Sequence, residues 1–391
     1  MKKLITFIFA FFLCYSVFAQ QSLSSRATVK SPEINPDNTV TFRLIAPKAM
    51  KVELIGDIFN DPDNGGQGSA QLKEIEGVWT YTTPTPLEPE LYFYNFKVDG
   101  LKINDPNNVH TIRDVANIFN IFIIGGPRAD LYKVNDVPHG TVSRVWYDSP
   151  TVGFDRRLTI YTPAGYEQNT KTKYPVFYLM HGAGGDEEAW IALGRTSQIL
   201  DNLIAQGKAK PMIVVMTNEN INQEAAAGES SFGYVQPSMG ASSQTKTVPT
   251  GIDFIKAFPD IQKFVESNYR TINKKSSRAI GGLSMGGFYT VNVSKEYPDT
   301  FDYMGVFSAG LRMNDQSKDK DEAQLAIQFS KKPKLYWIGI GKTDFLYSYT
   351  KTMRDYFDEQ NYPYVYYESE GGHIWRNWRI YLSEFVPLLF K

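Results

Sequence analysis

Gly282-Leu283-Ser284-Met285-Gly286 is a spacing that can do nucleophilic chemistry. A serine hydroxyl attacks well only when a base takes its proton, and the base needs an acid to orient it. The residues ending at Ile280 read as a strand, and those from Gly287 onward as a helix. A serine on such a turn stands clear of the backbone, above a helix N-terminus that favours developing negative charge. Four histidines are available: His110, His139, His181 and His373. His110 and His139 lie too early in the chain. His373, in Gly371-Gly372-His373-Ile374-Trp375, sits on a glycine-flanked loop after a strand, where the order Ser, Asp, His places the base. Asp344 directly follows the apolar run 335–340 and fits as the acid. Asp315, Asp319 and Asp321 occupy a polar, Lys-rich stretch instead, and Asp355 and Asp358 a helical pattern.

Attack on a carbonyl also needs two backbone N–H groups aimed at the oxyanion. Met285, the residue after the serine, is expected to supply one. The second is expected from His181-Gly182-Ala183-Gly184-Gly185, which follows the strand ending at Met180. Spacing leaves Gly182 and Ala183 as equal candidates. His181 then reads as a loop residue holding the strand end, not a rival base. Residues 218–251 form a long polar stretch read as a substrate-facing lid. Its Phe232 and Tyr234, with Trp375 beside the histidine, are the aromatics expected to touch substrate.

These residues must be held by two different textures of chain. Residues 31–126 alternate with period two in short runs, 39–45, 51–55, 78–82 and 91–98, punctuated by Pro, Asn, Asp and Gly. That pattern predicts an all-β immunoglobulin-like sandwich. Residues 127–141 read as a linker. From 142 to 391, apolar runs at 174–180, 212–216, 278–280, 335–340 and 365–368 alternate with helical patterns such as 254–268 and 321–330. This is the signature of a largely parallel α/β sheet.

Residues 1–19 carry a Lys2-Lys3 start, an apolar run to Cys14 and small residues at Val17 and Ala19, the marks of a signal peptide cleaved after Ala19. The apolar run is too short to span a bilayer, so export to the periplasm or beyond is expected without a membrane span. Cys14 is the sole cysteine, which leaves the mature chain no disulfide or thiolate chemistry. A net charge of −1 without a basic block offers nothing for nucleic acid. No metal-ligand spacing and no phosphate-binding glycine loop appears, so no metal and no cofactor is expected.

Tyr178-Leu179-Met180-His181-Gly182-Ala183-Gly184-Gly185, the stretch 195–211, Gly281 to Gly287 and Gly371 to Trp378 together resemble carbohydrate esterase family one, the feruloyl and acetyl-xylan esterases. The run 92–100, with 104–108 after it, resembles the immunoglobulin-like domain of isoamylase and glycogen-branching enzymes. The resemblance implies an α/β-hydrolase domain with the triad Ser284, Asp344 and His373. It implies hydrolysis of feruloyl esters on xylan or arabinoxylan through an acyl-enzyme, with acetyl-xylan esterase as the alternative. A siderophore trilactone esterase and, in another class, a non-catalytic polysaccharide-binding protein are the competing readings. The implied partner is feruloylated or acetylated cell-wall polysaccharide, and the implied role of the sandwich is structural or positioning rather than glycan capture.

Overall fold

The computed structural model describes residues 29–59, 68–231, 233–234, 236–239, 246–312 and 318–391. The signal-peptide segment and Phe232 lie outside the described residues. Among the described residues the N-terminal part is all-β: β1 (Glu33–Ile34), β2 (Val40–Ile45), β3 (Val52–Gly56), β4 (Gly68–Gln71), β5 (Lys73–Ile75), β6 (Val78–Thr82), β7 (Leu91–Val98), β8 (Leu101–Ile103), β9 (Thr111–Asp114) and β10 (Asn117–Ile123). They form two antiparallel sheets, ordered β1-β2-β6-β5 and β4-β3-β7-β10-β9 with β8 beside β7. Alternation on β2, β3 and β7 turns Phe42, Leu44, Leu54, Tyr94 and Phe96 into one core between the sheets.

The C-terminal part is built on β11 (Thr141–Ser149), β12 (Phe154–Thr162), β13 (Val176–Met180), β14 (Ile213–Met216), β15 (Arg278–Leu283), β16 (Tyr303–Phe307), β17 (Leu335–Gly341) and β18 (Val365–Ser369). Their order is β11-β12-β14-β13-β15-β16-β17-β18, antiparallel at the first strands and parallel from β14 onward. Every residue of β13, β14, β15 and β16 is buried, as expected of strands covered on both faces. Helices α1 (Ala189–Ala192), α2 (Thr196–Ala205), α3 (Phe254–Asn268), α4 (Met285–Glu296), α5 (Lys318–Ser330), α6 (Tyr347–Glu359) and α7 (Trp375–Phe385) supply the cover. Strand β16 and the β9–β10 hairpin were not legible as strands in the sequence pattern.

The two parts are not beads on a string. One apolar cluster joins Leu91, Ile112, Ile121 and Tyr132 to Trp190, Trp375, Trp378 and Leu382. Beside it the fully buried Arg379 of α7 donates to the Glu90 carboxylate at 3.0 Å, to the Leu91 carbonyl at 3.1 Å and to the Leu193 carbonyl at 3.1 Å. A buried charge with this many partners demands one docking geometry. Among the described residues no helix is long and apolar enough to cross a membrane.

Candidate active site

Ser284 caps α4 with φ +53°, the left-handed region that a side chain rarely occupies. Its N–H is held by the Phe307 carbonyl at 2.9 Å, tying the turn to β16. Glycine at 286 is a requirement: a Cβ there would stand 2.4 Å from the His181 carbonyl oxygen and 2.6 Å from that of Met180. The start of α4 therefore lies directly on the end of β13, which brings the serine beside the His181–Gly185 loop. Gly182 is equally close, since a Cβ on it would come within 3.3 Å of the Ser284 Cβ.

Asp344 follows β17 and is almost fully buried. Its Oδ1 accepts from the Leu346 N–H at 2.9 Å, and both its carboxylate oxygens lie 3.0 Å from His373 Nδ1. The imidazole is also packed by the Trp378 ring at 4.9 Å, edge-on, and by Phe345 at 4.3 Å. Trp378 is itself anchored through its indole N–H to Ser308 Oγ at 2.9 Å. Ser284 and His373 line one cavity of about 710 Å³.

The loop between β13 and α1 is held from below. His181 is buried, and its Nε2 accepts from the Glu219 N–H at 3.1 Å while the Glu219 carboxylate accepts from the His181 N–H at 2.7 Å. With Nε2 accepting, Nδ1 carries the proton and donates to the Gly182 carbonyl at 2.6 Å. Burial pushes the Glu219 carboxyl up to about 7, against the pull of His181 and Thr217. His181 is thus a strut for the loop.

Gly182, Ala183, Gly185 and Trp375 line the cavity, and Met285 follows Ser284 as the first residue of α4. Tyr234, expected to touch substrate, is 99 % exposed and is not among the residues that line the cavity. Arg156, fully buried, takes the carbonyls of Asn218, Asn220 and Gln223 into its guanidinium fork, so the start of the loop is fixed against the sheet. Ala226, Ala227, Glu229 and Met239 are the loop residues that reach the cavity instead.

No sequence pattern pointed to the opposite wall. Asp57, Phe93, Arg113, Asp114, Val115 and Phe119, all from the sandwich, line the same cavity as Ser284. Their hairpin turns at Val115-Ala116, without the Asn-Gly or Gly signal that usually marks a two-residue turn. Burial raises the Asp57 carboxyl to about 6, against the Phe93 N–H that it accepts at 2.8 Å and the nearby Arg376 charge. Among the described residues no group of three or more His, Cys, Asp or Glu side chains could hold a metal ion.

A parallel sheet with a serine turn, a histidine–aspartate pair and a glycine loop at one end of its strands defines an α/β esterase domain, here preceded by an all-β sandwich. The chain belongs to the family described as putative esterase, whose model matches residues 149–389. Residues 28–123 match carbohydrate-binding module 48, the isoamylase N-terminal domain. An endo-1,4-beta-xylanase/feruloyl esterase of Xylanibacter ruminicola is 31% identical over 366 residues, 92% of this chain and 46% of that protein. This chain therefore spans about half the length of that relative. A ferulic acid esterase from the anaerobic fungus Anaeromyces mucronatus shares the fold at 20% identity and TM-score 0.53, over 72% of this chain and 97% of that one. The enterobactin esterase of Shigella flexneri shares it at 14% identity and TM-score 0.60, over 90% of this chain and 93% of that one.

Proposed function

We propose that the protein is an exported serine esterase that removes hydroxycinnamoyl groups, feruloyl above all, from xylan or arabinoxylan. The observation that carries this reading is the cavity at Ser284, whose volume of about 710 Å³ far exceeds what an acetyl group needs. Phe93, Phe119, Trp375 and Trp378 line it, a set of faces and edges suited to an aromatic acyl ring. The feruloyl esterase activity named for the Xylanibacter ruminicola relative supports the same substrate class.

In this reading Asp344 holds the His373 ring through Nδ1, which leaves Nε2 to take the Ser284 proton as the hydroxyl attacks the ester carbonyl. The N–H of Met285 and that of Gly182 or Ala183 receive the oxyanion. His373 then protonates the departing sugar hydroxyl, and water reverses the sequence to release the hydroxycinnamate.

A second reading, a trilactone siderophore esterase, is favoured by the match to the Shigella flexneri enzyme across both domains. The cavity's charge argues against it. Four arginines line it against five carboxylate residues. Arg144 is held by Glu188 in a two-pronged pair at 2.7 Å, and Arg157 by Glu187 at 2.7 Å. Little free positive charge is left for an anionic iron complex. The test is a panel of methyl ferulate, nitrophenyl acetate, acetylated xylan and a catechol trilactone. The reading expects methyl ferulate to give the highest kcat/KM, with all activity lost in Ser284→Ala. Preference for the trilactone would replace it with the second reading, and preference for acetylated xylan would change the acyl group.

A further inference from the structure

The sandwich meets the catalytic machinery through three consecutive residues at the turn between β9 and β10. Val115 holds φ +52°. A β-branched residue is rarely found there, and it persists only where its surroundings over-determine it. Here they do. The Arg113 guanidinium donates from Nη1 to the Val115 carbonyl at 2.9 Å and from Nη2 to the Asp186 carboxylate at 2.6 Å. Asp186 is buried and closes the glycine loop, accepting from the Glu188 N–H at 3.1 Å through its side chain and from the Ala189 N–H at 3.0 Å through its carbonyl.

The Val115 methyls lie over Gly184, at φ +77°, so closely that a Cβ on that glycine would stand 2.9 Å from Cγ2. Asp114, between them, has its carboxyl raised by burial against the pull of the Trp375 side chain, two residues past His373. Strand β9 also packs against α1, which the glycine loop leads into. One turn of the sandwich therefore touches both loops that the esterase domain uses for chemistry.

We propose that the Arg113–Asp114–Val115 turn is a positioning element of the esterase site, so that the sandwich is required for the chemical step on any ester and not only for capturing polysaccharide. The inference rests on reading the His181–Gly185 loop as the oxyanion loop. Arg113 fixes the turn and Asp186 together, and Val115 then blocks the space into which Gly184 would swing. Gly182 and Ala183 keep their N–H groups aimed at one point because the far end of their loop cannot move. A sandwich that only anchored glycan would have no reason to hold a strained valine against that loop.

The experiment uses the full chain and a small substrate with no sugar. Kinetics on nitrophenyl acetate are measured for wild type, Arg113→Ala, Arg113→Lys and Val115→Gly, with circular dichroism and Tm as folding controls. Arg113→Ala is expected to lower kcat about 10- to 100-fold, the scale of a misplaced catalytic group. KM should change by less than about threefold, since ground-state binding is untouched. Arg113→Lys should recover part of the loss, because one ammonium can reach Asp186 but not hold the Val115 carbonyl in the same fork. Val115→Gly, which relaxes the strain but removes one of the two side chains over Gly184, Met239 being the other, should also lower kcat with Tm within a few degrees of wild type.

Wild-type kcat on nitrophenyl acetate in both Arg113→Ala and Val115→Gly, with loss only on arabinoxylan, overturns the proposal and makes the sandwich a glycan anchor. Should Arg113→Ala not fold, Arg113→Lys and Val115→Gly decide by the same kcat split. Failure of the feruloyl reading shows separately, in the wild-type substrate panel.

Discussion

The cavity has two strained walls, and they are strained by different means. On one side Ser284 is held at φ +53° entirely by its own domain, through the Phe307 carbonyl and the close approach of α4 to β13. On the other side Val115, at φ +52°, belongs to the sandwich but lies over Gly184 of the esterase domain, while its neighbour Arg113 pairs with Asp186. The first strain is local to a strand-to-helix turn. The second is braced within the sandwich by Arg113, which also reaches across the interface to Asp186. The serine turn should therefore survive perturbations that loosen the interface, and the Val115 contact should not.

Asp344→Asn attacks the first wall and is expected to have the largest effect. It keeps the shape but favours the wrong imidazole tautomer, a change of about 10³–10⁴-fold in kcat. Activity near wild type on nitrophenyl acetate would remove Asp344 from the triad. Next comes the docking charge. Glu90→Gln strands Arg379 in the interface and should cost about 3 kcal/mol, as breaking a buried pair does. Thermal melting reads the loss directly. A parallel fall in kcat would show that docking feeds the Val115 wall, whereas an unchanged kcat would cut that link.

The Asp57 carboxyl, pushed up to about 6 by burial, gives a smaller and pH-dependent effect. Its folded value lies above the unfolded one, so its contribution to stability is fully present below about pH 4 and fades as pH rises through 6. Asp57→Asn removes that dependence and should flatten the wild-type decline in Tm between pH 4 and 7, a difference of about 1–3 kcal/mol. Identical profiles for the two proteins would show that Asp57 is solvated. The smallest effect is expected from Tyr234→Ala. Its ring points to solvent, so kcat/KM on methyl ferulate should stay within about twofold of wild type. A tenfold loss would restore the lid reading of its loop.

The legible and illegible parts of the molecule follow the same division. Strands 78–82 and 91–98 and the helix 254–268 appear with the bounds their patterns suggest, because period two and period 3.6 are written in neighbouring residues. Strand β16 escaped because its run, Tyr303 to Phe307, is short and interrupted by Gly305. The β9–β10 hairpin escaped because its turn is Val115-Ala116, residues that local propensity would place in a strand or helix.

The sequence by itself determined the pieces that act within one element or one loop. These are the serine between close-approaching glycines, a histidine on a glycine-flanked loop, an aspartate at a strand end, and the β-then-α/β order of the chain. Each is set by short-range sterics or by the periodicity of burial, which neighbouring residues encode. Only the tertiary structure decided that Arg113, Asp114 and Val115 would close the cavity from the other domain. Their partners, Asp186, Trp375 and Gly184, lie far along the chain, and what brings them together is one apolar cluster and the buried Arg379–Glu90 pair at the interface. Contacts of that kind depend on the shape of two finished surfaces, which no local pattern of residues records.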